Sequence, residues 1–271
     1  MNLGPHAWLQ RAERLEGVRR ERYYRRSHPV IVNSGGRSDR SCAETLHVFS
    51  IAFGSPAAIR HQIRLLNKFL ADPFELTVVD NSPQGAARDE IASVCKDNGT
   101  AYVGLAANPF TIGAASHGAA LNWAYYNLVA SAGHEYYGFI DHDVQPFRKT
   151  QVVPVLKQQG VFGLPQERGR RWYLWSGFCF FSARTVGRRR LDFMPKRGLD
   201  SGGGNWRALF RTMPRAMLPP VTQTYGALKD GSSVQSSGYE LIGDWVHTMN
   251  ASEWTPAPGK QRLVDRFLSD L

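Results

Sequence analysis

The chain has no run of eighteen or more apolar residues, and its N-terminus has no basic start followed by an apolar core and a small-residue cleavage point. The first absence excludes a membrane-spanning helix and the second a secretory leader, so a cytoplasmic location is expected. Cysteine is scarce: Cys42, Cys95 and Cys179 are three, with no Cys-x-x-Cys spacing and no histidine at zinc-finger distance. That excludes a disulfide framework and a finger-type zinc site, and points to reduced thiols. Acidic charge is short as well, with 23 Asp and Glu against 33 Lys and Arg, a formal net charge of +10. Such an excess favours anionic partners, among them nucleotide diphosphates and anionic membrane surfaces. No internal repeat is present, and the 42% hydrophobic fraction is ordinary for a folded chain of 271 residues.

The basic excess is unevenly placed. Residues 1–40 hold nine arginines against Glu13, Glu16, Glu21 and Asp39, so about half of the surplus lies in this short arm. A charged, helix-compatible stretch around Trp8 to Arg26 leads into Asn33-Ser34-Gly35-Gly36-Arg37-Ser38, a composition that resists regular structure. The expected division is a basic, partly flexible arm over 1–43 and one domain over 44–271. Contact with an anionic membrane surface through the arm is expected. With no recognisable nucleic-acid fold beside it, nucleic acid is not an expected partner.

From Glu44 short apolar runs alternate with amphipathic segments, the pattern of parallel strands joined by crossover helices. Leu46 to Ala52 reads as a strand, and Ser55-Pro56 supplies an N-cap and a first-turn proline. Ile59, Ile63, Leu66 and Leu70 then recur on one helical face. Phe74 to Val79 is a second strand, Arg88 to Asn98 a helix, Ala101 to Leu105 a third strand, 115–130 a long helix and Tyr136 to Ile140 a fourth strand. This is an α/β fold with a mostly parallel sheet flanked by helices, 44–146 forming its nucleotide-binding half and 147–271 its acceptor half. In the second half Trp172 to Phe181 is apolar, Tyr239 to Val246 reads as one modest strand, and 185–240 is read as loops that cover a site rather than build a separate core.

The chemistry converges on Asp141-His142-Asp143, which closes the fourth strand. Two carboxylates at i and i+2 on a strand's carboxyl end can grip a hard divalent cation that neutralises phosphates, which points to sugar transfer from a nucleotide donor. His142 faces away from both, because side chains alternate in extended chain. Asp80 ends the second strand at the same edge and either accepts from a nucleoside or caps the Asp80-Asn81-Ser82-Pro83 turn. His247 is either structural or a nitrogen ligand, which would suit Mn²⁺ better than Mg²⁺. Asp200, between Gly198 and Gly202, is placed to deprotonate an acceptor hydroxyl, with Asp192, Glu240 and Asp244 as rivals. Trp172, Tyr173 and Trp175 form either a sugar platform or core. Two arginine runs, 168–171 and 188–190, are either phosphate contacts or solvated surface.

Together Val79-Asp80-Asn81-Ser82, the run from Asn108 through Gly113 to Gly118, and Asp141-His142-Asp143 resemble glycosyltransferase family 2 and its GT-A fold. The resemblance implies Ala52, Phe53 and Asp80 at the nucleoside, Gly113 and His117 near ribose or diphosphate, and the triplet, His142 included, on the donor side. It implies Asp141, Asp143 and His247 as ligands of Mn²⁺ or Mg²⁺, with Asp141 shared with ribose. Trp175, Ser176 and Gly177 fall on the acceptor side, and Asp200 matches the family's catalytic acid. The implied activity is metal-dependent, inverting transfer from a UDP, GDP or dTDP sugar to a glycan or lipid-linked acceptor, in glycan or polysaccharide assembly. Two departures stand out: the family's Glu-Asp pair is absent near Asp200, and His117 replaces an Arg-Asn. The alternatives are a nucleotidyltransferase, against which the single glycine of Phe53-Gly54-Ser55-Pro56 counts, and a non-catalytic binding protein whose arginine-rich arm is the working part.

Overall fold

A computed structural model describes residues 18–19, 22–24, 28–29, 31–33, 44–110, 113–196, 198–218, 221–229, 236–248 and 258–271. Its centre is a seven-stranded sheet whose order is set by crossovers. Strands β1 (Ile31–Asn33), β2 (Leu46–Ala52), β3 (Phe74–Asp80), β4 (Ala101–Gly104), β5 (Tyr136–Asp141), β7 (Val161–Arg168) and β8 (Arg171–Ser182) line up as β1-β4-β3-β2-β5-β8-β7. The four strands β4, β3, β2 and β5 are mutually parallel; β1 and β8 flank them antiparallel, and β7 pairs antiparallel with β8 at the far edge. The expected α/β architecture is therefore present, with the parallel strands in its middle.

Alternation along the strands explains why both faces are covered. Phe49 and Ile51 of β2 point into one cluster with Ala120, Leu121 and Trp123 of helix α3 (Gly113–Ala124), whereas Leu46 and Val48 point into another with Leu66 of α1 (Pro56–Phe69) and Leu156 of α4 (Val153–Gln159). Helix α2 (Ala86–Asp97) adds Ile91 and Val94 to a third cluster beneath β3 and β4. Helix α1 starts as its sequence demands: Ser55 Oγ accepts from Ala58 N at 3.4 Å and Pro56 occupies the first turn. Helix α3 does not stop at Ala124 but loosens into an i→i+5 turn over Tyr125–Val129, in which Ala130 N donates to Tyr125 O. Trp172 and Tyr173 are buried in the core, which settles them as packing residues and not an exposed platform.

Two expectations for the second half are corrected. The segment 185–240 does more than supply loops: β9 (Gln223–Lys229) and β10 (Ser236–Ile242) join β11 (Trp245–His247) and β6 (Val144–Pro146) in a separate antiparallel sheet, order β6-β11-β10-β9. This sheet has its own small cluster, in which Val246 meets Leu65 of α1 and Val264 and Leu268 of the C-terminal helix α7 (Pro258–Ser269). The stretch Tyr239 to Val246 is two strands and not one, because Gly243, with φ +59, turns the chain between Ile242 and Trp245. Two short helices, α5 (Ala183–Val186) and α6 (Asn205–Ala208), complete the chain order.

The described part of the N-terminal stretch is joined to the domain. Strand β1 pairs with β4, Tyr23 and Tyr24 are buried in the α3 cluster, and Arg19 donates to Pro109 O at 2.6 Å. Most of the Ser/Gly linker, Trp8, Cys42 and Trp254 lie outside the described residues. Cys95 and Cys179 are buried free thiols. Among the described residues no helix is long and apolar enough to cross a membrane.

Candidate active site

Strand β5 ends at Asp141 and β6 begins at Val144, so the acidic triplet forms the sharp link between the two sheets. A fully buried amide fixes this link. Gln62 of α1 donates to Asp141 O at 2.8 Å and to Val144 O at 2.7 Å, and its Oε1 accepts from Ser50 Oγ at 2.5 Å. Alternation then places the two carboxylates on one side and His142 on the other. His142 is buried against β2, where its Nδ1–H donates to Ile51 O at 3.1 Å. The donor-side role that the resemblance gave His142 is thereby corrected: the ring supports the turn from beneath.

The two carboxylates have different partners. Asp143 Oδ2 lies 3.6 Å from His247 Nε2, and His247 Nδ1 lies 3.2 Å from Glu240 Oε2. Glu240 and His247 are directly opposed in the β10–β11 ladder, which is why the hairpin brings them together. Thr248 N donates to Asp143 O at 2.9 Å and pins that residue's backbone. Burial works against charge on all three, yet the charges win. His247 is desolvated but raised to about 10 by Asp143 and Glu240, while Asp143 and Glu240 are held below the usual carboxylate range chiefly by His247. The Trp175 ring packs beside the imidazole, 4.8 Å between centroids.

Asp141 instead pairs with His117, Oδ1 to Nε2 at 2.8 Å. Its other oxygen lies against Gly177, where an added Cβ would sit 2.5 Å from it. His117 Nδ1 is 3.3 Å from Ser201 Oγ, which accepts from Ser176 Oγ at 2.9 Å. The histidine thus ties the triplet to the loop that carries Asp200. Burial lowers its basicity, but Asp141, and beyond it Asp200 and Asp143, raise it overall. Asp200 is exposed, its Oδ1 accepts from Ser201 N at 2.7 Å, and its own N–H donates to Tyr173 Oη.

Two rivals of Asp200 are engaged elsewhere and the third lies in a turn. Asp192 is bound by Lys196, Asn122 and Met194 N, Glu240 orients His247 and accepts from Gln223, and Asp244 sits on the β10–β11 turn. Asp80 is wholly buried, its two oxygens accepting from Ser82 N at 2.8 Å and Tyr102 Oη at 2.9 Å, and burial raises its pKa. Of its two readings the turn-capping one matches the structure, and no Asp80 oxygen faces solvent. Ala52 is buried too, so at this edge Phe53 and Asn81 are the partly exposed residues. Nothing in the sequence singles out Asn81. It donates to Ser116 Oγ at 3.0 Å and accepts from Asn108, a bridge between the β3 and β4 loops and the start of α3, where Gly113 is exposed.

No protein-family model and no curated protein matches this sequence. Among solved structures it is similar to the mannosyltransferase PcManGT from Pyrobaculum calidifontis, in complex with GDP-Man and Mn²⁺, with 15% identity over 73% of this chain and a TM-score of 0.44. It is also similar to the mannosyltransferase Ktr4p from S. cerevisiae, 10% identical over 65% of the chain with a TM-score of 0.37. The galactosyltransferase LgtC is 12% identical over 50% of the chain, with a TM-score of 0.33. The chain covers 59%, 66% and 57% of those three structures, less than two thirds of each. Likeness at this level leaves the function to be argued from the chain's own residues.

Among the described residues no group of three or more His, Cys, Asp or Glu side chains forms a metal cluster. Asp141, Asp143 and His247 are therefore not gathered around one point. What exists is a two-residue set, Asp143 and His247, backed by Glu240, with Asp141 drawn off to His117.

Proposed function

We propose that this protein is a metal-dependent glycosyltransferase of GT-A type that moves a sugar from a nucleotide-diphosphate donor to an acceptor hydroxyl. The observation that carries this reading is the Glu240–His247–Asp143 chain at the carboxyl edge of the parallel sheet. At 3.6 Å, Asp143 Oδ2 and His247 Nε2 are near enough for a small shift to bring both onto one ion. A carboxylate on the far nitrogen is the usual support of a ligating histidine. Two protein ligands leave positions for diphosphate oxygens, as cations shared with a substrate require. Mn²⁺ or Mg²⁺ bound there would neutralise the charge on the departing nucleoside diphosphate.

The remaining roles belong to the chain itself. Phe53, Asn81 and the exposed start of α3 at Gly113 frame the donor, and Asp141, held by His117, faces its ribose. The acceptor oxygen forms its bond to the anomeric carbon while the bond from that carbon to the diphosphate oxygen breaks, and Asp200 takes the hydroxyl proton. Displacement of this kind inverts the anomeric centre. His117 and Ser201 keep the Asp200 loop against the triplet, and Trp175, Ser176 and Gly177 form the wall between the two halves. The acceptor is a glycan or lipid-linked hydroxyl, reached on the membrane's inner face with help from the arginine-rich arm.

A panel of UDP, GDP, CDP and dTDP sugars with Mn²⁺ tests the proposal. Release of a nucleoside diphosphate from one of them is expected. Pyrophosphate released in its place would indicate nucleotidyl transfer, and no donor consumed or bound across the panel would contradict the reading.

A further inference from the structure

At the far end of α3 from the triplet lies a cavity of about 510 Å³, within the range of small-molecule sites. Along the helix, the step from His117, which touches the triplet, to Tyr126 at the cavity is nine residues, roughly 13 Å. Its walls are Tyr24, Tyr125, Tyr126, Arg188, Arg189 and Arg190.

These walls are fixed. Tyr125 Oη donates to Arg189 O at 3.3 Å, Tyr126 Oη donates to Leu191 O at 3.1 Å, and the Tyr24 and Tyr126 rings stack at 6.2 Å between centroids. Asn127 Nδ2 donates to Tyr24 O at 2.7 Å and so locks the N-terminal segment onto the helix. The i→i+5 turn that brings the two helix tyrosines to the cavity is a rare element, found mostly where a helix serves a site.

Among the described residues the charge lining the cavity is of one sign. Arg189 is spent on the end of α5, donating to Thr185 O and Val186 O. Among the described residues Arg188 and Arg190 have no acidic partner, and no carboxylate lines the cavity. Two free guanidinium forks beside a stacked pair of aromatic rings are complementary to a phosphate group carried on a planar or apolar body.

We propose that this cavity is a second anion site, separate from the candidate active site, which binds a phosphate-bearing ligand through Arg188 and Arg190 with Tyr24 and Tyr126 against the rest of the molecule. The ligand is either a soluble phosphoester or the headgroup of an anionic lipid. Both share the chemistry that the arginines recognise.

Calorimetric titration of the full chain with inorganic pyrophosphate, in EDTA to silence any cation-dependent site, tests the proposal. Saturable binding is expected, weakened about tenfold or more in Arg188→Ala/Arg190→Ala. Asp143→Ala and the control Arg168→Ala/Arg170→Ala should bind as wild type does. Thermal unfolding of each variant checks that the fold is intact at the titration temperature. No saturable binding, an equal loss in the control pair, or a loss in Asp143→Ala alone would overturn the assignment. In the second arm, sedimentation with phosphatidylglycerol vesicles that depends on Arg188 and Arg190 and is displaced by pyrophosphate supports a lipid headgroup. Pyrophosphate binding without vesicle binding supports a soluble phosphoester.

Discussion

Replacing Gln62 by leucine removes a buried amide of similar size and leaves its three partners in place. Asp141 O, Val144 O and Ser50 Oγ each lose a hydrogen bond of 2.8, 2.7 and 2.5 Å, at a site with no access to water. A buried group left without its partner costs about 1–3 kcal/mol. The carbonyls can be shared with other donors and the serine can rotate, so the low end applies to each, and about 3–4 kcal/mol is expected in total. For a domain of this size that corresponds to a fall in melting temperature of about 6–16 °C. Urea unfolding read by tryptophan fluorescence measures it, with the midpoint lowered and the slope unchanged. Donor affinity should fall further than stability alone accounts for, because the bracket holds the link that carries both carboxylates. A stability loss below about 1 kcal/mol would refute the reasoning.

Gly177→Ala should impair the site with little effect on the fold. Its new Cβ meets the Trp175 ring and lies 2.5 Å from Asp141 Oδ2, so the carboxylate or the indole must move, and a loss of donor turnover of about tenfold is expected. Steady-state assay beside a melting curve checks this. Stability should fall as pH falls below about 6.5. His134, stacked on His47 at 3.5 Å, is lowered to about 4 by burial first and then by the charge of His47, with Glu75 opposing. The unfolded chain, with a histidine near 6.5, therefore binds more protons between those values, and the folded state loses stability as pH descends through them. The full gap would be worth about 3.4 kcal/mol. Partial exposure reduces this to about 1–2 kcal/mol. His134→Gln should flatten the slope of unfolding free energy between pH 7 and 4.5. Tyr102→Phe should cost about 1.5–3 kcal/mol by leaving the buried Asp80 carboxyl one donor short, measurable by the same urea titration.

The parallel half was readable because its signals are local. Ser55-Pro56 starts α1, and alternating apolar runs mark β2, β3, β4 and β5, so their bounds come within a residue or so of the structure. The second sheet was missed for the opposite reason. β9 and β10 pair with each other across a Gly/Ser-rich segment, and Tyr225 on β9 is 64% exposed, so the apolar alternation along β9 is weak. Alternation foretold that His142 turns away from its neighbours. Nothing in the sequence spacing could show Gln62 beneath the triplet, or His117 reaching Asp141, since both contacts are made by the crossing of α1 and α3 over the strand ends. The pairing of Glu240 with His247 follows from register once the turn at Gly243 is recognised, and treating that stretch as one strand hid it. Asp80 was visible as a turn residue or a ligand contact, and only burial decided between them.

The central claim is that Asp143 and His247 hold a divalent cation shared with a donor diphosphate. Calorimetric titration of the chosen nucleoside diphosphate, with and without Mn²⁺, into wild type and into Asp143→Asn and His247→Gln addresses it without recourse to turnover. Mn²⁺ should tighten binding to the wild type at least tenfold, and both variants, titrated below their melting temperatures, should lose that gain while keeping the cation-free affinity. Equal tightening by Mn²⁺ in all three proteins would contradict the account.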